Sequence, residues 1–369
     1  QCKLGDVAKI TMGQSPNSKN YTDNPKDHIL VQGNADMKDG QVHPRIWTTE
    51  ITKIADKGDL ILSVRAPVGD IGKTSYDVVI GRGVAAIKGN EFIFQLLKRM
   101  KTVGYWTKYS TGSTFESINS LEINNAVINL PKEHEQNEVG KILSYMDHAI
   151  TLHEEKKANL ERLKSALLQK LFADKSGYPA VRFKGFGGNW KERKFGELGT
   201  IEMCKRIFKD QTTDAGEIPF YKIGTFGGMP NAYISREIFE RYKRLYPYPT
   251  KGDILISTSG SIGRVVEYTG QEAYYQDSNI VWLNHNDLIS NSFLKYLYKT
   301  FNWNGVEGST IKRLYNNNIL KTKIRIPSSC EQEKIGGILS TLDHLLSHHQ
   351  QKIDIVKLIK QSLLQNMFI

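Results

Sequence analysis

Residues 133–172 read EHEQNEVGKILSYMDHAITLHEEKKANLERLKSALLQKLF, and residues 329–368 read SCEQEKIGGILSTLDHLLSHHQQKIDIVKLIKQSLLQNMF. Sliding the sequence by 196 positions lays residues 112–173 on 308–369 without a gap, and 21 of those 62 positions are identical. Neither quoted stretch contains proline, and glycine is confined to the first turns, so nothing breaks a helix in either. Val139, Met146, His153, Leu160 and Leu167 stand seven apart, as do Ile335, Leu342, His349, Val356 and Leu363. Ile142, Ala149, Lys156, Leu163 and Lys170 form a second series, matched by Ile338, Leu345, Lys352, Ile359 and Asn366. Two seven-residue seams place these groups on one stripe of a helix, the coiled-coil pattern. Each helix of roughly 38 residues is then ~57 Å long at 1.5 Å per residue. The shared register favours pairing with each other over two unrelated surface helices. An antiparallel pair would bring His153 and His349, in the same register near each midpoint, to the crossing, where polar residues fix register.

Upstream the repeat continues with shifts. Lys3-Leu4-Gly5-Asp6 answers Lys194-Phe195-Gly196-Glu197, and Lys57-Gly58-Asp59-Leu60-Ile61-Leu62-Ser63 answers Lys251-Gly252-Asp253-Ile254-Leu255-Ile256-Ser257. Between these anchors the copies diverge. The chain therefore reads as a first variable domain (1–131), its helix (132–173), a linker (174–189), a second variable domain (190–327) and a second helix (328–369). Short β-branched runs bounded by Gly, Asn and Asp mark strands at Asp59–Val64, Val78–Ile80, Val84–Ile87, Ile254–Thr258 and Asn279–Leu283. One helix follows in each copy, near Glu91–Met100 and Ser292–Thr300. The expected fold is α+β: two α/β domains with twisted, mostly antiparallel sheets, arranged as an internal repeat and joined by two long antiparallel coiled-coil helices.

The formal charge of +11, with 39% hydrophobic and 24% charged residues, describes a chain with real cores and a polyanion as partner. No apolar run approaches the ~18–20 residues of a membrane span. Three dispersed cysteines without a CxxC pair indicate neither a zinc site nor a disulfide framework, and a reducing, cytoplasmic setting fits.

Between the strands, basic, amide and hydroxyl residues interleave with aromatics, the composition of nucleic-acid-contacting loops. In the first copy the candidates are Gln14, Ser15, Lys19, Tyr21, Asn34, Arg45, Arg65, Arg82, Lys108 and Ser113. In the second they are Lys205, Arg206, Lys209, Lys222, Thr225, Arg236, Ser259, Arg264, Asn279, Ser309, Lys312 and Arg313. Any one of them suits an ordinary surface loop. The signal is that two matched domains diverge most where such residues gather.

Catalytic signatures are missing. Gly69–Thr74 resembles the end of a P-loop, but the required first glycine is Pro67 and the sister copy has Gly263-Arg264-Val265. Asp36-Met37-Lys38 has a nuclease-like spacing without an upstream acid or a sister match. No GxGxxG, HExxH or GxSxG occurs, and no metal or catalytic residue is indicated.

A duplicated variable domain with a matched heptad helix after each copy resembles the specificity (S) subunits of type I restriction–modification systems. The residues that carry the resemblance are Glu135-Gln136-x-x-Val139-Gly140-x-Ile142-Leu143 and Glu331-Gln332-x-x-Ile335-Gly336-x-Ile338-Leu339. With them go the endings Leu167–Phe172 and Leu363–Phe368, and the entry Arg182-Phe183-Lys184-Gly185-Phe186 with Trp190. Copy one begins at Gln1 without that entry, so a short preceding stretch is expected. The resemblance implies a non-catalytic subunit whose two target recognition domains each read half of an asymmetric, bipartite double-stranded DNA target. Its helices would set the spacer and dock two methyltransferase (M) subunits, with restriction (R) subunits joining. S-adenosylmethionine, ATP and Mg would sit on those partners and no cofactor on this chain. The alternatives are a specificity subunit of a type IIB-like system and, from another class, a P-loop-like nucleotide-binding enzyme using Gly69–Thr74.

Overall fold

A computed structural model describes residues 1–109, 117–174, 176–303 and 313–367. The two long helices run over Glu133–Lys170 and Ser329–Met367. The chain divides into two compact units, Gln1–Glu154 with Gln351–Ile369, and Glu155–Gln350. Each unit thus holds one domain, the first half of the helix that follows it, and the second half of the other helix.

In the first unit the strands Ile10–Met12 (β1), His28–Val31 (β2), Leu60–Ser63 (β3), Ile71–Lys73 (β4), Val78–Ile80 (β5) and Val84–Ile87 (β6) carry the domain. A six-stranded sheet has the order β1-β6-β3-β4 and continues into two short strands, Gln41–Val42 and Met37–Lys38. A five-stranded sheet is built around β2 and β5. The sheets are mostly antiparallel, as expected, and each of these two holds one parallel pair: β4 with Gln41–Val42, and β5 with β2. The β-branched runs at β3, β5 and β6 are buried along their whole length, so they read as continuous apolar stretches rather than alternating ones. Helix α1 (Glu91–Thr102) closes the core with Phe92, Ile93, Phe94, Leu96 and Leu97 buried.

The second unit repeats the central four strands as Gly199–Glu202 (β7), Ile254–Ser257 (β8), Val265–Glu267 (β9) and Ile280–His285 (β10), in the order β7-β10-β8-β9. Between Tyr221 and Ile254 it departs from the first unit. One short strand remains there, Tyr233–Ile234 paired with Ile218–Tyr221, and helix α2 (Arg236–Leu245), packed through Phe239, follows it. Helix α3 (Asn291–Thr300) takes the place of α1, with Phe293, Leu294, Tyr296, Leu297 and Tyr298 buried.

The identical Glu-Gln pairs explain how each domain is fixed to its long helix. Asn90 caps α1 through Ile93 N–H and donates to Gln136 Oε1 at 2.8 Å; Gln136 in turn donates to the Pro131 carbonyl at 2.8 Å. In the second unit Ser290 caps α3 and its N–H donates to Gln332 Oε1 at 2.8 Å, while Gln332 donates to the Leu288 and Pro327 carbonyls. One buried amide thus holds the capping side chain of α1 and the other satisfies a backbone N–H at the start of α3. Glu331 is buried against Arg182 at 2.8 Å, whereas Glu135 is exposed. Gly140 and Gly336 allow the approach, since a Cβ would lie 2.9 Å from Glu91 Cβ and 2.7 Å from Ser292 Cβ respectively.

The first heptad series faces inward. Val139, Ile335 and Leu342 are buried, and Met146, His153, Leu160, Leu167, His349, Val356 and Leu363 are half-buried. The second series does not: Ile142, Leu163, Ile338, Leu345 and Ile359 are exposed. The inward seam is one residue further on, at Leu143, Ile150, Lys157, Lys164 and Leu171, and at Leu339, Leu346, Ile353, Lys360 and Met367. Both spacings fit a helix, and burial chooses i+4 over i+3. Within each unit a lysine ties the two helix segments together beside the histidine-bearing turn. In the first unit Glu154, next to His153, accepts from Lys357 at 2.7 Å; in the second, Gln350, next to His349, accepts from Lys157 at 2.8 Å.

Among the described residues no helix is long and apolar enough to cross a membrane, and no cluster of His, Cys, Asp and Glu could hold a metal ion. The three cysteines are unbridged.

Candidate nucleic-acid interface

In both units the loop after the second core strand is clamped in one repeated pattern. In the first, Ser63 N–H donates to Asp70 O and Gly69 N–H to Ser63 O, closing the loop on itself. Val64 N–H then donates to Gly83 O at 2.9 Å, and Ile118 N–H to Val64 O at 3.0 Å. In the second, Ser257 pairs with Arg264, Gly263 with Ser257, Thr258 N–H with Asn279 O at 2.8 Å, and Leu314 N–H with Thr258 O at 2.8 Å. Three loops from distant parts of the sequence therefore cross at the same end of the four-stranded core in each unit. Gly69 (φ 87°) and Gly263 (φ 82°) make the turn possible, and a Cβ on either would strike Trp106 or Trp303 at 2.5 Å. What matches between the copies is scaffold; what differs is the side chains the loops carry.

At this crossing the first unit has a concavity of about 230 Å³ lined by Ser15, Gln32, Gly33, Asn34, Ser63, Arg65, Ala66, Arg82 and Gly83. Close backbone contacts hold its walls. A Cβ at Gly13 would sit 2.1 Å from Gly81 O, and one at Gly83 2.0 Å from Gln32 O. Arg82 N–H donates to Ser15 Oγ at 3.1 Å and Ser63 Oγ to Arg65 O at 2.9 Å. Arg65 and Arg82 are exposed and make no ion pair among the described residues.

Ser15, Asn34, Arg65 and Arg82 are thus brought together. Gln14 is exposed beside them, its carbonyl accepting from Thr52 at 2.5 Å. Lys19 and Tyr21 lie on the neighbouring turn and edge strand. Arg45 is engaged elsewhere: it donates to Ala35 O at 3.0 Å and lies 3.8 Å from the buried Asp36, which also accepts Gln32 N–H. That pairing gives Asp36 a structural role in place of the nuclease-like one. Lys108 falls in a short 3₁₀ turn; its side chain, and Ser113, Ser309 and Lys312 entirely, lie outside the described residues.

In the second unit several candidates hold the loops themselves. Arg264 donates to Phe226 O at 2.7 Å, Arg313 to Ser278 O at 2.9 Å, and Ser259 Oγ to Asn279 Oδ1 at 2.7 Å. Thr225 braces the Lys222 turn. Arg236, at the start of α2, is engaged by Glu217, Glu240 and Glu272. Lys205, Arg206 and Lys209 are exposed, the first over the Tyr246 ring and the second over Phe208. Next to them burial pushes the Cys204 thiol up to about 12, which removes it as a nucleophile. The sequence reading did not single out Ser63; its match with Ser257 in the repeated Lys-Gly-Asp run was the available signal.

Gly69–Thr74 cannot act as a P-loop. It leads into strand β4, not a helix N-terminus, and Lys73 is spent on Glu91 and the Phe94 ring, 4.6 Å away.

Comparison with known proteins gives a consistent set. The family described as type I restriction modification DNA specificity domain matches residues 1–162 and 187–358. A Haemophilus influenzae protein provisionally assigned as a type I restriction enzyme specificity subunit is 53% identical over 153 residues, 41% of this chain and 40% of that protein. The match therefore spans two fifths of that relative's length. The Methanocaldococcus jannaschii type I restriction enzyme MjaIX specificity subunit is 22% identical over 344 residues, 85% of this chain and 78% of that one. Among solved structures, the S subunit of a type I system from M. genitalium superposes with a TM-score of 0.68 at 16% identity, covering 100% of this chain and 95% of the other. A chain from a study of complex assembly and conformational transition of the type I system gives 0.52 at 18% identity, covering 98% and 95%.

Proposed function

The chain belongs to the type I restriction modification DNA specificity domain family, and on that premise we propose that it is the sequence-reading, non-catalytic subunit of a DNA methyltransferase and ATP-dependent endonuclease complex. The observation that carries this reading is the loop crossing. One hydrogen-bonded scaffold is built twice, and each copy presents a different set of polar side chains. Two unlike surfaces on like frames suit a target with two unlike halves on double-stranded DNA. Phosphate contacts come from exposed groups such as Lys19, Lys205 and Lys209, which position without specifying. Base edges are read by the arginine, amide and hydroxyl groups at the crossing.

The catalytic partners dock on the long helices. The second heptad series, together with Tyr145 (73% exposed) and Leu358 (68% exposed), leaves apolar groups uncovered. Ile142 and Ile338 are repeat equivalents, as are Leu163 and Ile359, so a like patch occurs in each repeat and suits two copies of one methyltransferase subunit. Restriction subunits join through that assembly. S-adenosylmethionine, ATP and Mg belong to the partners.

The test is co-expression with the methyltransferase subunit, followed by mapping of methylated bases. A split motif with two different halves is expected. Absence of sequence-specific methylation from a folded, assembled complex would refute the reading. Tyr145→Asp with Leu358→Ser, both in the first unit, is expected to cut the co-purified methyltransferase by about half while the melting temperature holds.

A further inference from the structure

The two loop crossings use arginine differently. In the second unit Arg264 and Arg313 each donate to a backbone carbonyl of a neighbouring loop, Phe226 O at 2.7 Å and Ser278 O at 2.9 Å. They brace the crossing. In the first unit Arg65 and Arg82 flank the 230 Å³ concavity, exposed and without an ion pair or a side-chain hydrogen bond among the described residues. Their backbones are nonetheless fixed. Arg82 stands between Gly81, whose N–H donates to Val31 O at 2.8 Å, and Gly83, whose carbonyl accepts Val64 N–H. Arg65 lies in the clamped loop, its carbonyl accepting from Ser63 Oγ.

A guanidinium on a rigid stem, with donors uncommitted, is the group that recognises a planar face with two acceptors. Ligand pockets for whole small molecules begin near ~300 Å³, so this concavity suits one base edge rather than a free metabolite. In the major groove the base that offers two acceptors side by side is guanine, through O6 and N7. We propose that Arg65 and Arg82 are specificity-determining residues that read a guanine edge in the first half-site, while Arg264 and Arg313, the arginines of the second crossing, are positioning residues that read no base. Gln32 and Asn34, which line the same concavity, supply amides for the adjoining base. This inference rests on the chain being a DNA-specificity subunit.

The experiment uses the assembled complex with its methyltransferase partner. The wild-type methylated motif tests the underlying reading, and the inference needs a G·C pair in the half read by the first domain. Arg65→Lys and Arg82→Lys keep the charge and lose the fork, so the double variant is expected to accept other bases at that G·C position and leave the second half unchanged. Arg264→Lys and Arg313→Lys are expected to lower methylation without altering the motif. Independently, 7-deazaguanine at that position removes N7 and is expected to weaken binding of the wild-type complex roughly 5- to 150-fold, the factor carried by a good bidentate pair. It should do nothing to the double variant. An unchanged motif in Arg65→Lys/Arg82→Lys, or a uniform loss across all sequences as phosphate contacts would give, overturns the inference and leaves the bipartite reading standing. No split motif in the wild type removes both.

Discussion

Lys360 Nζ donates to the Asp147 carboxylate at 2.5 Å, tying the late turns of the second long helix to the middle of the first. Asp147 also accepts from Gln95 Nε2 at 2.9 Å and Lys98 Nζ at 3.2 Å, both on α1, so one carboxylate joins three helix segments of the first unit. The second unit builds the same hub from repeat-equivalent residues: Asp343 takes Lys164 and the Tyr296 hydroxyl, the latter at 2.8 Å. Identity of Asp147 with Asp343 and of Lys164 with Lys360 in the repeat thus has a physical reason. Each domain is oriented on its helix pair by a charge that only one register can satisfy.

Asp147→Asn should cost about 1.5–3 kcal/mol, the range for hydrogen bonds to a charged group. Burial alone would raise the Asp147 carboxyl, but Lys98, Lys360 and Gln95 outweigh it and hold it below the usual aspartate range. A depressed folded pKa contributes stability that is present above the unfolded value near ~3.9 and is lost as pH falls through the folded one. Thermal melts of the variant between pH 7 and pH 2 should therefore start lower and fall less steeply in acid. Parallel curves for wild type and variant would show that the hub carries no charge-linked stability.

Leu143→Ala and Ile142→Ala separate the two candidate seams. Leu143 is 0% exposed and its truncation should cost about 2–5 kcal/mol. Ile142 is 42% exposed, and its truncation should stay within about 0.5 kcal/mol. Denaturant midpoints decide it, and similar costs at both positions would restore the i+3 seam.

Gly336→Val forces a side chain against Ser292, where even a Cβ would lie 2.7 Å away. Overpacking of this kind costs about 1–3 kcal/mol. Limited proteolysis should show α3 opening before the four-stranded core does; unaltered protection would mean that the helix is not held there by close contact.

The purified chain alone should bind DNA non-specifically, with an affinity that falls steeply with salt. Its net charge of +11 supports phosphate contacts but is spread over the whole sequence. Filter binding of target and scrambled duplexes between 50 and 200 mM salt checks this; tight discrimination without a partner would count against the division of labour proposed here.

The long helices were legible because forty residues without proline, repeated twice in one register, leave few alternatives. Their second seam was not, because Ile142 and Leu143, like Ile338 and Leu339, are adjacent and equally apolar, and only burial separates them. Strands that fill a core, such as Val78–Ile80 and Val84–Ile87, announced themselves by β-branched runs. Two-residue strands such as Gln41–Val42 carry no such signal, so the division into two sheets stayed hidden. At the candidate interface, composition pointed to loops that the structure brings together at the crossing, but could not tell a presented arginine from a bracing one. Arg82 and Arg264 look alike in sequence; the Phe226 carbonyl that engages Arg264 lies 38 positions away.

The division of the chain into units also fixes an order of events at the ribosome. Residues 155–350 form a continuous segment and can close as soon as they emerge. The first unit is interrupted. Leu363, Leu364 and Met367, which cover part of its core, are translated long after Glu154. At ~5–20 residues per second the wait is roughly 10–40 s. The first domain to be synthesised is therefore the second to be completed, and through that interval it holds an apolar face open within reach of chaperones and proteases.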